Sequence, residues 1–391
     1  MTQPLEGFRI LDLSAAFPGA LCSRILADLG AEVLKIENPD GGDASRNRPP
    51  IVKKMGVFFQ AINRNKKSVT LDVRNARGRE IMLKLVERAD VLVENTRPGN
   101  LGRIGLGYDD LVKINPRIVY CSISGFGQDG PYRDFPIHDI NILALSGIMD
   151  LIGERGRSPA VPDTQFGGAA GAMNAALGIL SALLRRENTG KGQYIDVSIL
   201  DSMIPYMTLS MCQFMHDGKL PRRGETLLGG GCACWNVYRT KDDRYISLGC
   251  WERKYWENFC RAVNRDDLAR EQFSPPPRQD EIIGELQAIF LGKTRAEWIK
   301  SFDPNLVCYA PVNSMEEAFE DPQIRHRRSW FKEIDPEEGQ VPQPGFSLKF
   351  SEDQPGWRTP APGIGEHTHS ILGELGIGEN ELQELKAAGI I

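Results

Sequence analysis

Histidine is scarce in this sequence: five residues in 391, none of them in an H-x-x-x-H pair. No C-x-x-C spacing occurs among the eight cysteines either, and Cys232 and Cys234 form only a C-x-C. Zinc sites need ligands at characteristic spacings, so no metal centre is expected and the thiols read as reduced and buried. An excess of positive charge is also lacking. The 47 Lys and Arg against 52 Asp and Glu leave a formal net charge of -5, which argues against nucleic acid as a partner. No cationic segment followed by an apolar stretch opens the sequence, so a cytoplasmic protein without a secretory signal is expected. Long hydrophobic runs are missing too. The best candidate, residues 169–184, carries no charge but is shorter than the ~20 residues of a spanning helix. Its Gly and Ala content suits a helix packed closely in a core, and no membrane partner is expected.

What is present is alternation. Short apolar runs at residues 9–13, 32–36, 68–72, 90–93 and 118–122 read as strands, with helical patterns at 19–29 and 78–88. Strands separated by helices predict βαβ units, hence an α/β fold with a largely parallel sheet. After a helix at 169–185 and a strand at 194–197 the pattern changes. Residues 227–250 offer two strands around glycines, and helices follow at 255–263 and 280–291, which predicts a smaller α+β domain. The tail from 376 to 391 reads as a closing helix.

Several stretches carry possible chemistry. Residues 63–68 place Arg64, Lys66 and Lys67 within four positions. Such a cluster suits phosphate contacts, and equally a solvated turn. Residues 94–107 follow a buried-looking strand with glycines plus Arg97 and Arg103. Ligands of open α/β sheets bind at strand carboxyl ends, and glycine permits close backbone approach. No G-x-G-x-x-G fingerprint occurs there, so no dinucleotide is inferred. Gly229, Gly230 and Gly231 form a turn whose amides could approach an oxyanion, or simply a hairpin turn. Met207, Met211 and Phe214 suit either an adaptable apolar surface or the packed face of a helix.

Taken together, the motifs resemble family III CoA-transferases and the related 2-methylacyl-CoA racemases over essentially the whole chain. The family opening P-L-x-G-x-x-V-L-D matches residues 4–12, and P-G…L-A-D-x-G-A-x-V-x-K-I-E matches 18–37. N-x-x-K-x-S-x-x-L-D corresponds to 63–72, E-N-x-x-P-G with R-x-G-L-G to 94–107, and S-G-F-G-x-x-G-P-Y to 124–132. Residues 190–198 and 365–368 fit as well. The resemblance implies a large Rossmann-like domain built from a first segment (1–205) and a return segment (331–391), with a small domain (225–330) between. It also implies two interlocked subunits, and coenzyme A or an acyl-CoA as bound substrate. Matching positions are Phe17, Asn38, Leu71, Arg74, Asn95, Thr96, Arg97, Arg103 and Ile104 along the nucleotide and pantetheine, with Ile137 and Asp139 nearer the thioester. At Asn38 the relatives often carry Arg. The glycine loop 229–231 is expected to close over the site.

One element departs from the family. A catalytic Asp usually stands ten or eleven residues before the Gly of the G-I-L element, here Gly178, and those positions are Gly168 and Gly167. In the transferases that carboxylate attacks the thioester, dividing one difficult exchange into easier covalent steps. Glycine cannot do so. Asp163, a few residues upstream, is the nearest replacement. His138-Asp139-Ile140-Asn141 resembles the racemase H-D-I-N element, and Glu252 matches the racemase glutamate. Three readings stay open. The first is a CoA-transferase polypeptide moving CoA between an acyl-CoA such as succinyl-CoA and a carboxylic acid, its carboxylate supplied by a paralogous subunit. The second is a racemase or isomerase using His138, and the third a CoA-thioester-binding subunit without turnover.

Overall fold

The structure, a computed structural model, describes residues 3–52, 54–335 and 339–391. The chain divides into two compact units. The first comprises Met1–Ile142, Thr164–Met203 and Asp321–Ile391; the second comprises Leu143–Asp163 and Ile204–Glu320.

The first unit is built on six strands: β1 (Arg9–Asp12), β2 (Glu32–Glu37), β3 (Lys66–Thr70), β4 (Val91–Glu94), β5 (Val119–Ser124) and β6 (Tyr194–Ser198). All adjacent pairs are parallel, in the order β3-β2-β1-β4-β5-β6. Successive side chains point to opposite faces, so each strand feeds two cores. Ile10, Val33, Val91 and Val119 pack on one face against α1 (Phe17–Asp28) and α3 (Phe166–Thr189). Leu11, Leu34, Leu92 and Tyr120 pack on the other against α2 (Ala76–Glu87) and the C-terminal helices Thr368–Glu374 and Glu379–Ala387. Burial on both faces explains why these strands read as continuous apolar runs. The returning C-terminal segment protects the edge strand β3: His367 N–H donates to the Ser68 carbonyl at 2.9 Å, and Thr70 N–H to Thr368 Oγ1 at 2.9 Å.

The cation cluster at 63–68 is neither a solvated turn nor a set of free phosphate ligands. Arg64 is fully buried and makes a bidentate pair with Asp28, Nε to Oδ1 at 3.0 Å and Nη2 to Oδ2 at 2.7 Å. Lys66 Nζ is spent on Asp12 Oδ2 (2.9 Å), Asn63 Oδ1 (2.7 Å) and the Ala20 carbonyl (3.0 Å). Lys35, also buried, bridges Asp43 at 2.9 Å and the Ser14 carbonyl at 2.9 Å. Of the three cations only Lys67 reaches the surface, where it pairs with Glu32. A buried cation needs both a counter-charge and hydrogen-bond acceptors, and the carboxylates paired with Arg64 and Lys66 lie 36 and 54 residues away in sequence.

The uncharged run at 169–184 belongs to a longer element than the sequence suggested. Helix α3 has 24 residues and is long and apolar enough by composition to cross a membrane. Its small residues Ala172, Ala175, Ala176 and Ala182 are buried against the sheet side of the unit. Met173, Leu177 and Leu184, on the opposite stripe, are 59–71% exposed.

In the second unit β7 (Trp235–Arg239), β8 (Tyr245–Gly249) and β9 (Tyr309–Pro311) form an antiparallel sheet with β8 central. An aromatic core lies under it, with Tyr238 stacked on Phe290 at 4.8 Å and Trp256, Phe259, Trp298 and Phe302 around them. The helix Thr208–Asp217, expected either as a packed face or as an adaptable surface, buries none of its residues: Leu209, Met211, Phe214 and Met215 are all exposed.

Candidate active site

Strand order reverses between β1 and β4, and ligands of open α/β sheets bind outside the strand carboxyl ends at such a switch point. The two loops leaving β1 and β4 are tied together there. Asn95 Oδ1 accepts the Ala15 N–H at 2.8 Å, while its Nδ2 donates to the Ala15 carbonyl at 2.6 Å. Beside this clip lies a cavity of about 540 Å³ along the carboxyl ends of β1 to β4. Its walls include Asn38, Leu71, Arg74, Thr96, Arg103 and Ile104, all expected from the sequence to face the nucleotide and pantetheine. Phe17, Asn95, Arg97, Ile137 and Asp139 are not among the residues lining it. Arg74 and Arg103 are exposed at the mouth, where guanidinium groups keep their charge available. Asn38 is exposed too, its Oδ1 accepting the Asp40 N–H at 2.9 Å.

Sequence inspection passed over the residue that shapes the loop. Glu94 ends β4 with only 4% exposure. Its Oε2 accepts from Thr96 N–H (2.7 Å) and Thr96 Oγ1 (2.6 Å), and its Oε1 accepts from Ser122. Gln128 Nε2 donates to Ser122 Oγ at 2.8 Å and extends the network. Burial raises the Glu94 carboxyl above its usual range, opposed by these hydrogen bonds. A lone Glu at a strand end has no sequence signature; the family motif E-N-x-x-P-G was the signal that could have flagged it.

At the amino end of α3 the geometry separates the two glycines. A Cβ on Gly167 would lie 2.9 Å from Asp139 Oδ1 and 3.1–3.2 Å from the Ile142 and Ile199 methyls, a box closed on three sides. A Cβ on Gly168 would meet the edge of the Phe17 ring at 2.9 Å, and its next contacts are at 3.5–3.6 Å. Gly168 is therefore the position that a side chain could occupy after a small movement of one ring. The carboxylate nearest to it is Asp139, whose Oδ1 accepts the Gly168 N–H at 2.7 Å. Asp139 Oδ2 is buried and has no hydrogen-bond partner. Asp139 thus anchors the helix start, the favourable end of the dipole for a negative charge. His138, immediately before it, is exposed and donates its backbone N–H to Asn141 Oδ1 at 3.2 Å. Ile137 packs so closely on Gly125 that a Cβ there would approach its Cγ2 to 2.2 Å.

The remaining candidates fall in the second unit. Gly229 and Gly230 line a cavity of about 870 Å³ with Trp235, Asn236, Tyr245 and Ser247. Asn236 Nδ2 donates to the Gly230 carbonyl at 2.8 Å, and Gly230 adopts φ +93°, which favours glycine. Gly231 is forced by packing, since a Cβ would lie 2.3 Å from the Glu225 carbonyl oxygen. Asp163 is exposed and belongs to this unit, whereas Gly167 and Gly168 belong to the first. Glu252 is exposed at the start of the helix Arg253–Ala262, without a side-chain capping bond.

The sequence profile of CoA-transferase family III matches residues 5–368. The chain belongs to that family. As a member it is a transferase enzyme, and its relatives cover both branches of the superfamily. Succinyl-CoA:glutarate CoA-transferase of Mus musculus is 33% identical over 396 residues, covering 100% of this chain and 90% of the relative. Alpha-methylacyl-CoA racemase of Homo sapiens is 34% identical over 393 residues, covering 99% and 97%. Among solved structures, a CAIB/BAIF family protein from Brucella suis superposes with a TM-score of 0.84 at 31% identity, covering 96% of this chain and 100% of that one. The family III fold accordingly accounts for the parallel six-stranded sheet described above.

Proposed function

We propose that this chain is a CoA-transferase polypeptide that moves CoA between an acyl-CoA, such as succinyl-CoA, and a carboxylic acid. In this reading it works in an oligomer whose paralogous subunit supplies the catalytic carboxylate. The observation that carries it is Gly168. The cavity at the switch point, the Asn95 clip and the anchored start of α3 support the reading, with glycine at 168 where the family's acid usually stands. Arg74 and Arg103 at the cavity mouth would meet the phosphates of CoA, and Thr96 and Leu71 its pantetheine. Exposed Met173, Leu177 and Leu184 on α3, and Leu209, Met211 and Phe214 in the second unit, support burial against another subunit, in an interlocked arrangement. Purification from the native host tests the reading. A paralogue carrying Asp at the Gly168 position should copurify, and the pair should transfer CoA while this chain alone does not. Turnover by the lone chain at the rate of the pair would reject the division of labour.

A second reading, racemisation of 2-substituted acyl-CoAs, is favoured by the 34% identity to the racemase and by His138 beside Asp139. Solvent deuterium appearing at the α-carbon on incubation with the isolated chain would establish it in place of transfer.

In either case Glu94 should matter for affinity. Glu94→Gln removes the carboxyl acceptor of three hydrogen bonds, two of which shape the Thr96 turn while the third comes from Ser122. Bonds to charged groups contribute about 1.5–3 kcal/mol, so CoA binding measured by calorimetry should weaken by roughly tenfold or more. An unchanged Kd would show that the turn holds its shape without the charge.

A further inference from the structure

The C-x-C that the metal reading left aside has a defined geometry. Cys232 and Cys234 occupy a tight turn closed by Trp235 N–H donating to the Cys232 carbonyl at 3.1 Å. The intervening Ala233 is held on both sides, its N–H by Gln279 Oε1 at 2.8 Å and its carbonyl by the Tyr238 hydroxyl at 2.7 Å. Cys250 N–H donates to the Cys234 carbonyl at 2.8 Å, fixing the exit of the turn. The result places Cys232 Sγ and Cys234 Sγ only 3.1 Å apart, both fully buried. A disulfide needs an S–S separation of about 2.05 Å, so the two sulfurs are roughly 1 Å from bonding distance in a turn that already presents them to each other. Among the described residues no cluster of three or more His, Cys, Asp or Glu is poised around a metal.

We propose that Cys232 and Cys234 are a dithiol oxidation site, converted by a peroxide-class oxidant into a reversible disulfide beneath the glycine loop 229–231. This inference does not depend on which acyl group the enzyme handles. The Cys232 thiolate attacks the peroxide oxygen, the O–O bond breaks, and a sulfenic acid and one water (or alcohol) result. The Cys234 sulfur then attacks the sulfenic sulfur, the S–O bond breaks, and a second water leaves. Two thiols are oxidised by two electrons and one peroxide is reduced, so atoms and electrons balance. The order of attack follows from the pair itself. The contact between the two sulfurs lowers the Cys232 thiol and raises that of Cys234, so Cys232 is the first to ionise. Both sulfurs are buried, so a small oxidant would reach them by local opening of the turn, whose leading residues 229–231 are glycines. Gly229, Gly230, Trp235 and Asn236 flank the turn and line the cavity of about 870 Å³. Bond formation would therefore stiffen one wall of that cavity.

Tryptic digestion provides a clean readout, because cleavage after Arg223 and Arg239 gives a peptide, 224–239, that contains these two cysteines and no other. The full chain should be treated with graded hydrogen peroxide, quenched and digested. The expected result is loss of about 2 Da from that peptide, reversed by dithiothreitol. In Cys232→Ser the shift should vanish, and oxidation of the remaining Cys234 should slow by about tenfold, since the more nucleophilic partner is gone. Exposed Cys212 is the internal control. If peptide 224–239 keeps its dithiol mass after Cys212 is fully oxidised, the proposal is overturned. It is equally overturned if the peptide gains oxygen without passing through the disulfide. Both outcomes are read on the wild-type chain, so a misfolded variant would not obscure them.

Discussion

If a partner subunit supplies the carboxylate, as proposed, Gly168→Asp is expected to raise the CoA-transfer activity of the isolated chain at least ~100-fold above that of the unmodified chain. Removing a nucleophile from an otherwise intact site costs on the order of 10⁶ in kcat, so partial restoration leaves a large gain. Position 168 is helical and near the amino end of α3, where an acid is tolerated and favoured by the dipole. The one obstacle is the Phe17 ring edge at 2.9 Å, and the companion Phe17→Ala should relieve it. Gly167→Asp is the contrasting case. Its new side chain would enter the box formed by Asp139, Ile142 and Ile199 and add a second carboxylate beside Asp139. Overpacking of this kind costs about 1–3 kcal/mol, and no activity should appear. Turnover with succinyl-CoA, followed by chromatography of the CoA esters, checks both. A folded Gly168→Asp chain that stays inert even with Phe17→Ala would mean that more than the carboxylate has been lost.

Asp12→Ala should be the most destabilising substitution in the large unit. Asp12 is fully buried and accepts from Lys66, Ser14 and Ser23 at 2.5–2.9 Å. Removing one partner of a buried pair leaves an uncompensated charge and costs about 3–5 kcal/mol, measurable as a lower midpoint in urea. Burial alone would raise the Asp12 carboxyl, but Lys66 and Lys35 hold it down to about 2. Its folded pKa is thus below the unfolded value of about 3.9. The stabilisation is present above that value and is lost as pH falls through about 2. Lys66 behaves in the opposite range. Burial draws it down to about 8 despite Asp12, against about 10.4 unfolded. Between these values the unfolded chain binds more protons than the folded one, so stability should rise with pH across that window. In Lys66→Met the rise should disappear.

The alternation of strands and helices was legible because it rests on local periodicity. Residues 9–13, 32–36 and 118–122 each carry enough apolar character to declare a buried parallel strand without reference to one another. The loop after β4, which lines the switch-point cavity, was legible for a similar reason, its motif being contiguous. Arg64 and Lys66 show where such reading stops. Three cations in four residues look like a surface, and only Asp28 and Asp12, brought in from α1 and β1, turn two of them into buried ion pairs. The helix Thr208–Asp217 fitted both an adaptable surface and a packed face, and the exposed side chains decide for a surface. Its methionines and Phe214 satisfy a packing pattern, yet nothing in its own unit covers them.

By itself the sequence determined the α/β architecture, the family and the absence of an acid at residues 167 and 168, since each is carried by residues close together in the chain. Tertiary structure alone decided which of those two glycines has room for a side chain. That choice rests on Phe17, on Asp139 and Ile142 of one short helix, and on Ile199, which reach the start of α3 from three separate places in the chain. Contacts of that kind are set by packing across the sheet and leave no mark on the residues beside the glycines.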